Sequence, residues 1–191
     1  MLRLIRIFVP FLLALGSMSA APAFPPTAPG VTELKTLPAG LLVRREVQGD
    51  YFDKSGELFR PLFRYIQRKD IAMTTPVESH PGDTSAMLFW IAASERPKAE
   101  SDLAPAAPVI PEGVVVLQRP AQLVVSHGDR GGYSRKHFEL AREAVLAWVA
   151  ARPELKVVGE AYGVYWNSPF VPPFLKRYEV HIPVSLVTSQ P

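Results

Sequence analysis

Apolar side chains at helical spacing mark a first helix. They fall at positions i, i+3, i+4 and i+7 of one segment and are Phe59, Leu62, Phe63 and Ile66. This spacing places them on one helical face, so we predict a helix that begins near Ser55, its candidate cap, or nearer Leu58. Pro61 lies more than a turn inside the earlier start, where proline is unfavourable.

A second apolar stripe follows in the C-terminal half of the chain. It consists of Phe138, Ala141, Val145, Trp148 and Val149. We predict a helix from about Ser134 to Ala151, with Pro153 ending it.

Extended runs rich in β-branched and aromatic residues surround both helices. They are predicted at 31–37, 41–48, 71–78, 85–93, 113–119, 122–127, 155–166 and 178–184. In the last run, Glu179 and His181 alternate away from an apolar face. That face consists of Tyr178, Val180, Ile182 and Val184. The proline-rich segment 95–112 is predicted to be a surface connection between two halves.

Each half therefore has the order strand–strand–helix–strand–strand. Both third strands end at a small hydroxyl residue before proline, in Thr75-Pro76 and Ser168-Pro169. We predict an α+β fold: a closed or nearly closed sheet of about eight strands, built from two pseudo-repeated ββαββ halves, with two helices packed on it. The hydroxyls of Thr74 and Thr75 are expected to satisfy backbone groups freed at Pro76, which makes this site a fold determinant.

Composition narrows the class of protein. The chain has 191 residues, of which 48% are hydrophobic and 20% are charged. These values suit one compact domain and exclude disorder. Cysteine is absent from the sequence, which excludes disulfides, thiolate metal sites and a Cys nucleophile. The 21 basic residues fall to 19 without Arg3 and Arg6, against 18 acids. Such a near-neutral domain is a poor candidate for binding nucleic acid.

The first 23 residues have the organisation of a secretory signal. Arg3 and Arg6 precede the apolar stretch 7–15, and Ala21 and Ala23 fill the small positions of a cleavage site. We predict cleavage after Ala23, a periplasmic or secreted location and no stable membrane insertion afterwards. Residues 24–30 are expected to form an extended, ill-packed linker before a single domain at 31–188. The alternative is an uncleaved signal that anchors the chain in the inner membrane.

Three motifs resemble those of one family. The run Ile71-Ala72-Met73-Thr74-Thr75-Pro76-Val77 looks like the I-x-M-T-x-P-V signature of the SOUL/haem-binding-protein family. Residues 62–66 are similar to the helix that precedes this signature, and 165–170 with 172–180 are similar to the family's C-terminal stretch. The likeness runs from about Glu33 to Val187. It implies two similar halves forming a distorted antiparallel β-barrel with two helices packed on it. It also implies reversible tetrapyrrole binding in an apolar cleft, and a wider group of similar domains binds other small effectors.

A porphyrin site needs a broad apolar surface and cations for two propionates. The resemblance implies that the first helix and the proline-rich loop flank the cleft. The candidate tetrapyrrole-binding residues are therefore Phe59, Leu62, Phe63, Arg64, Ile66, Phe170, Phe174, Lys176 and Arg177. Core packing is the alternative for the helical aromatics, and a solvated rim is the alternative for the cations. Phe170 and Phe174 are the better candidates because prolines mark their segment as an irregular loop.

The sequence assigns no axial ligand for haem iron. Its four histidines are expected to be surface or capping residues, and they are His80, His127, His137 and His181. Tyr65, Met73 and Tyr165 are weak alternative ligands. Because cysteine is absent, covalent c-type haem is excluded.

Two classes of function remain. We prefer non-covalent binding of haem or a related tetrapyrrole, as a carrier, buffer or sensor after export. The alternative is an effector-binding module for another apolar or cationic small molecule, with Glu46, Glu78 and Glu160 as candidate cavity acids. An enzyme is a weaker third possibility, since the sequence contains no G-x-S-x-G, H-E-x-x-H, Walker or G-x-G-x-x-G motif.

Overall fold

The computed structural model describes residues 22–103, 111–168 and 170–187. Residues 1–21 of the predicted signal at 1–23, part of the proline-rich connection and Pro169 lie outside these residues. Nine strands and three helices make up the described part. The strands are β1 (Thr32–Leu37), β2 (Gly40–Gln48), β3 (Val77–His80), β4 (Thr84–Ile91), β5 (Val114–Arg119), β6 (Gln122–Arg130), β7 (Leu155–Val157), β8 (Tyr162–Tyr165) and β9 (Arg177–Leu186). The helices are α1 (Tyr51–Arg68), α2 (Arg96–Glu100) and α3 (Arg135–Ala150).

One antiparallel sheet organises the molecule, in the order β1-β6-β9-β8-β3-β4-β2-β5, with β7 paired to β9. The α+β class is confirmed. The predicted barrel is not confirmed, because β1 and β5 are the two edges of the sheet and do not pair with each other in the described part. The element order is symmetric about the β8–β3 pair, with β1 on β6 and β5 on β2. The duplicated unit stays a prediction.

Both long helices begin at a side-chain cap. Ser134 Oγ accepts from the amide of His137 at 3.3 Å and starts α3 where the stripe predicts it. Helix α1 begins earlier than predicted, because Asp50 and not Ser55 is its cap: Asp50 Oδ1 accepts from the amide of Phe52 at 2.8 Å. Pro61 lies inside α1 with its ring buried against the core.

The helices α1 and α3 cover one face of the sheet. Their buried side chains pack on alternate residues of the strands, including Val43, Phe89, Val116 and Val180. The other face carries no long helix, and we call it the open face. Its apolar centre consists of Leu37, Leu42, Ala86, Leu88, Trp90, Val124, Tyr162 and Val164.

The N-terminal segment 22–30 packs on the open face. Phe24 lies edge-on to Trp90 and Trp166, with ring centroids 5.5 and 5.4 Å away. Gly128 of β6 allows the segment to approach closely, since a Cβ there would lie 2.5 Å from the carbonyl oxygen of Thr27. Phe24 and Thr27 of this segment are buried, so the expectation that residues 24–30 are ill-packed is wrong.

Thr74 has the structural role expected for it. Its hydroxyl donates a hydrogen bond to the carbonyl of Trp90, which connects the residues just before β3 to the end of β4. The proline-rich connection differs from expectation in one respect, since it contains the short helix α2 with Ala99 buried.

Candidate functional site

A cleft opens on the open face, where β6 and β8 end and β9 begins. Its volume is about 490 Å³, within the range of small-molecule sites. The segment 22–30 forms one wall, and the loop between β8 and β9 forms another. Its lining residues are Pro22, Pro26, Thr75, Arg130, Trp166, Asn167, Val171, Leu175 and Arg177.

Two arginines face each other in this cleft. Arg130 is the last residue of β6 and Arg177 the first of β9, and the register places them directly opposite one another. Neither guanidinium forms an ion pair within the described residues. Like charges directly opposite on neighbouring strands are unfavourable. The pair therefore forms a positive site that an anion with two oxygens, or two anionic groups, would stabilise.

The backbone around both arginines is held by local hydrogen bonds. The amide of Arg177 donates to Asn167 Oδ1 at 2.6 Å, and the amide of Arg130 donates to Asp129 Oδ1 at 2.7 Å. Tyr133 contributes from the other side, because its hydroxyl accepts from the amide of Asn167 at 2.8 Å. These contacts fix the positions from which the two side chains extend.

Behind the cleft lies a buried carboxylate, Glu179. It accepts hydrogen bonds from Trp166 Nε1 at 2.7 Å, His181 Nε2 at 2.7 Å and the amide of Thr27 at 2.7 Å. Lys35 Nζ lies 3.4 Å away. Burial by itself raises the pKa of Glu179, but the hydrogen bond and charge of His181 and the charge of Lys35 outweigh it, and the pKa is lowered. Glu179 thus orients the indole that lines the cleft and ties segment 22–30 to β9.

A second buried carboxylate, Glu78, lies on the same face. Both its oxygens accept from the Arg119 guanidinium, at 2.7 and 2.8 Å, and Trp90 Nε1 donates at 2.8 Å. Burial raises the pKa of Glu78, but the hydrogen bond from His80 and the charge of Arg119 hold it at about 2. Both buried acids are therefore compensated by cations of the chain itself.

The predicted site residues on α1 lie on the helix-covered face, away from this cleft. Leu62 and Ile66 are buried in the core there. Phe59 and Phe63 are half-buried and stack on each other, with centroids 5.5 Å apart. Arg64 is exposed and forms an ion pair with Glu112 at 2.9 Å. For Leu62 and Ile66 the structure therefore agrees with the alternative given above, which is packing in the core.

The predicted residues of the loop divide into two groups. Arg177 lines the cleft, whereas Phe170 and Phe174 are 95% and 73% exposed and are not among its lining residues. Lys176 Nζ lies 5.0 Å from the centroid of the Tyr133 ring. Among the nine candidates, Arg177 is the one that lines the cleft.

Sequence reasoning missed the main partner of Arg177. Arg130 and Trp166 are not among the site candidates from sequence. They lie near Arg177 because β6 and β8 both pair with β9, and periodicity does not reveal this pairing. Alternation along β9 places Arg177 on the same face as Glu179, but it gives no signal for Arg130 or Trp166.

The histidines lie outside the lining of the cleft. His80 stacks on Tyr162 at 4.6 Å, His127 Nδ1 lies 2.7 Å from Thr32 Oγ1, and His137 Nδ1 lies 2.6 Å from the carbonyl of Gly132. His181 is fully buried, so its assignment as a surface or capping residue is wrong. Segment 22–30 covers the His181 side chain, since the Phe24 ring lies 5.9 Å from the imidazole. Within the described ranges, no group of three or more His, Asp or Glu residues could hold a metal ion.

The acids proposed for a cation site are also accounted for. Glu78 is paired with Arg119, Glu46 lies 3.3 Å from Arg44, and Glu160 is exposed. The described lining of the cleft contains two arginines and no acid. Among the described helices, none is both long and apolar enough to cross a membrane.

Several solved structures share this fold. The C-terminal domain of EcmrR has a TM-score of 0.63 at 13% identity, covering 82% of this chain and 98% of that one. An EcmrR chain in a complex with DNA has a TM-score of 0.62 at 12% identity; the match covers 82% of this chain and spans 58% of the EcmrR chain. A hydrolase from Listeria innocua has a TM-score of 0.54 at 13% identity, covering 83% and 94%. At these identities the likeness concerns the fold alone.

No curated protein matches the sequence. A family described as SOUL heme-binding protein matches it over residues 22–183. The match begins at the N-terminal wall of the cleft and ends within β9, so it includes both facing arginines and every residue that lines the cleft. Since this match covers most of the chain and agrees with the three motifs, the protein belongs to the SOUL heme-binding family.

Proposed function

We propose that the chain binds haem or a related tetrapyrrole non-covalently in the cleft on the open face. The facing pair of Arg130 and Arg177 carries this proposal. A tetrapyrrole combines a broad apolar ring with carboxylates on one edge. The cleft combines apolar walls from Trp166, Val171 and Leu175 with two uncompensated cations at one place. Carboxylate oxygens on the guanidinium groups would relieve the repulsion between them.

The iron would need no histidine of this chain. No histidine is among the lining residues of the cleft, so the binding free energy comes from apolar contact and from the two arginines. We therefore expect iron-free protoporphyrin and haem to bind with similar affinity, and the bound haem to lack the spectrum of bis-histidine ligation.

The alternative of a module for a cationic effector receives less support. Its recognition would require an available carboxylate in the cleft, and both buried acids of the open face are already paired with Arg119, Lys35 or His181. A binding role after export, as carrier, buffer or sensor, remains our proposal for the exported protein.

A haem titration followed by Soret absorbance tests the site. Replacing both arginines, Arg130→Gln with Arg177→Gln, should weaken haem binding at least about tenfold, because two charge-assisted contacts to carboxylate are removed. Both side chains are exposed, so the fold should persist, which far-UV circular dichroism checks.

The matched control is Arg64→Gln, an exposed arginine on α1 from the predicted site. It should leave haem affinity unchanged. Weaker binding by the Arg64 variant with normal binding by the double variant would move the site to α1. Non-saturable absorbance in the wild type would contradict tetrapyrrole binding altogether.

A further inference from the structure

The loop between β8 and β9 displays an apolar surface that extends beyond the lining of the cleft. Phe170 is 95% exposed, Phe174 73% and Leu175 50%. Two aromatic side chains this exposed on one loop are unusual on a protein that stays in water, since each carries a large apolar area. We call Phe170, Phe174 and Leu175 the loop tip.

The loop holds this surface in a defined shape. The amide of Val171 donates to the carbonyl of Ser168 at 3.1 Å, and the amide of Leu175 donates to the carbonyl of Pro172 at 2.9 Å. Pro172 and Pro173 further restrict the backbone. The aromatic side chains are therefore presented by a turn with few alternative conformations, which lowers the entropy lost when they bind a surface.

Basic residues flank the loop tip. Arg177 lies two residues after Leu175 in the sequence, and Arg130 faces Arg177 across the strand pair. The described lining residues of the adjoining cleft include no acid. Exposed aromatics next to arginines match the interfacial region of a bilayer, where the rings enter below the headgroups and the cations meet lipid phosphates.

The N-terminal chain reaches the molecule at this same end. Pro22 lines the cleft beside Val171 and Leu175, and the apolar stretch 7–15 lies only seven residues upstream of it. Seven residues span at most about 25 Å when fully extended. A membrane contact of that stretch, during export or as a retained anchor, would hold the loop tip close to the bilayer.

We propose that the loop tip, together with Arg130 and Arg177, docks on the surface of a bilayer that contains anionic phospholipid. Phe170 and Phe174 enter the interfacial region, and the arginines contact phosphate groups. The contact is peripheral, so it requires no spanning helix among the described residues. If the cleft binds a tetrapyrrole, as proposed above, docking turns the mouth of the cleft toward the lipid from which such an apolar ligand could enter.

A single fluorescent label at position 174 tests the docking. The sequence contains no cysteine, so Phe174→Cys provides one labelling site for an environment-sensitive dye. Leu140→Cys on α3 is the matched control, because Leu140 is also exposed, at 54%, and lies on the helix-covered side. Both full-length labelled chains are mixed, without haem, with vesicles of phosphatidylcholine with or without phosphatidylglycerol.

The emission of the label at 174 should shift to the blue and intensify with vesicles that contain phosphatidylglycerol, and salt should reduce the response. The label at 140 should not respond. Equal responses at the two positions, including no response at either, would overturn the proposal.

An unlabelled variant provides a second measurement. Phe170→Ser with Phe174→Ser should lower partitioning of the full chain onto the same vesicles by about tenfold or more, given the apolar area removed. Partitioning equal to that of the wild type would contradict the proposal. Since these assays contain no haem and the haem titration contains no vesicles, failure of one proposal does not imply failure of the other.

Discussion

At the scale of single residues, the open face shows how charged groups can be buried when all their hydrogen bonds are made within the protein. Glu179 accepts hydrogen bonds from Trp166, His181 and the Thr27 amide. Ser126 Oγ donates a fourth at 2.9 Å. A buried charge is tolerated only when it is paired and hydrogen-bonded. Alternation along β9 correctly separates Glu179 from the apolar face. It does not reveal that the polar face is buried as well, because the covering segment comes from the other end of the chain.

The buried His181 predicts a pH dependence of stability. Burial lowers the pKa of His181 below its ordinary 6.5, although Glu179 acts in the opposite direction. The unfolded chain therefore takes up a proton near pH 6.5 that the folded chain does not, so the free energy of unfolding should fall as the pH drops below about 6.5. Urea unfolding at several pH values would measure this slope.

The slope between pH 7 and 5 should be smaller in His181→Asn, whatever the overall stability of that variant. His80→Asn, which changes a half-buried histidine on β3, leaves His181 in place and should retain the slope. An unchanged slope in the His181 variant would remove His181 as its source.

Glu78 predicts a second dependence at lower pH. Its pKa of about 2 in the folded chain lies below the ordinary 4.5, so its contribution to stability is complete above about pH 4.5 and is lost as the pH falls toward 2. Glu78→Gln should destabilise the protein by about 3 kcal/mol or more at neutral pH, because Arg119 keeps its buried charge without a partner.

The same urea measurements, extended to pH 2, check both consequences for Glu78→Gln. The variant should lack the acid-dependent loss that Glu78 contributes. Stability at neutral pH equal to that of the wild type would show that the Glu78–Arg119 pair is not needed by the fold.

At the scale of elements, Gly40 shows how closely the first residue of β2 packs on Trp90. A Cβ at Gly40 would lie 2.3 Å from a ring carbon of Trp90. That indole has little freedom to move, since Glu78 accepts its hydrogen bond at 2.8 Å and the Arg119 guanidinium lies 4.5 Å from the ring centroid. The bare backbone at Gly40 is thus part of the packing of the open face.

Two glycine substitutions should have opposite effects. Gly40→Ala should destabilise the protein by about 1–3 kcal/mol, because the added methyl group overlaps Trp90. Gly56→Ala in α1 should stabilise it by about 0.5–1 kcal/mol, since Gly56 is exposed and its Cβ would meet only the end of Arg60 at 3.9 Å. Thermal or urea unfolding of the two variants checks the signs, and destabilisation by both would contradict this packing argument.

The helices and strands follow largely from periodicity. The stripe of α3 and the cap at Ser134 agree with the structure, because a single helix face meets the core there. The start of α1 was placed too late, because Asp50 and Tyr51 precede the apolar spacing used to find it. Helix α2 was missed because its short sequence lies in a proline-rich stretch with one buried side chain, Ala99.

At the scale of the whole molecule, strand order decides where the site lies. The open sheet places the ends of β6 and β8 beside the start of β9, and the N-terminal segment crosses the face next to them. Arg177 could be proposed from sequence as a cation near an apolar loop. Arg130 could not, since its position opposite Arg177 follows from a register between strands that are 47 residues apart at that pair. The family motifs identify the fold, but the position of the cleft follows only from the strand order and register of the structure.

The most direct test of the account is to map the bound ligand on the protein. Amide chemical shifts of the isotopically labelled protein should be followed by NMR during titration with zinc protoporphyrin, which is diamagnetic. The account predicts shifts concentrated at Arg130, Trp166, Leu175 and Arg177, with the amides of residues 59–66 unchanged. Shifts concentrated at residues 59–66, or no saturable shifts, would contradict it.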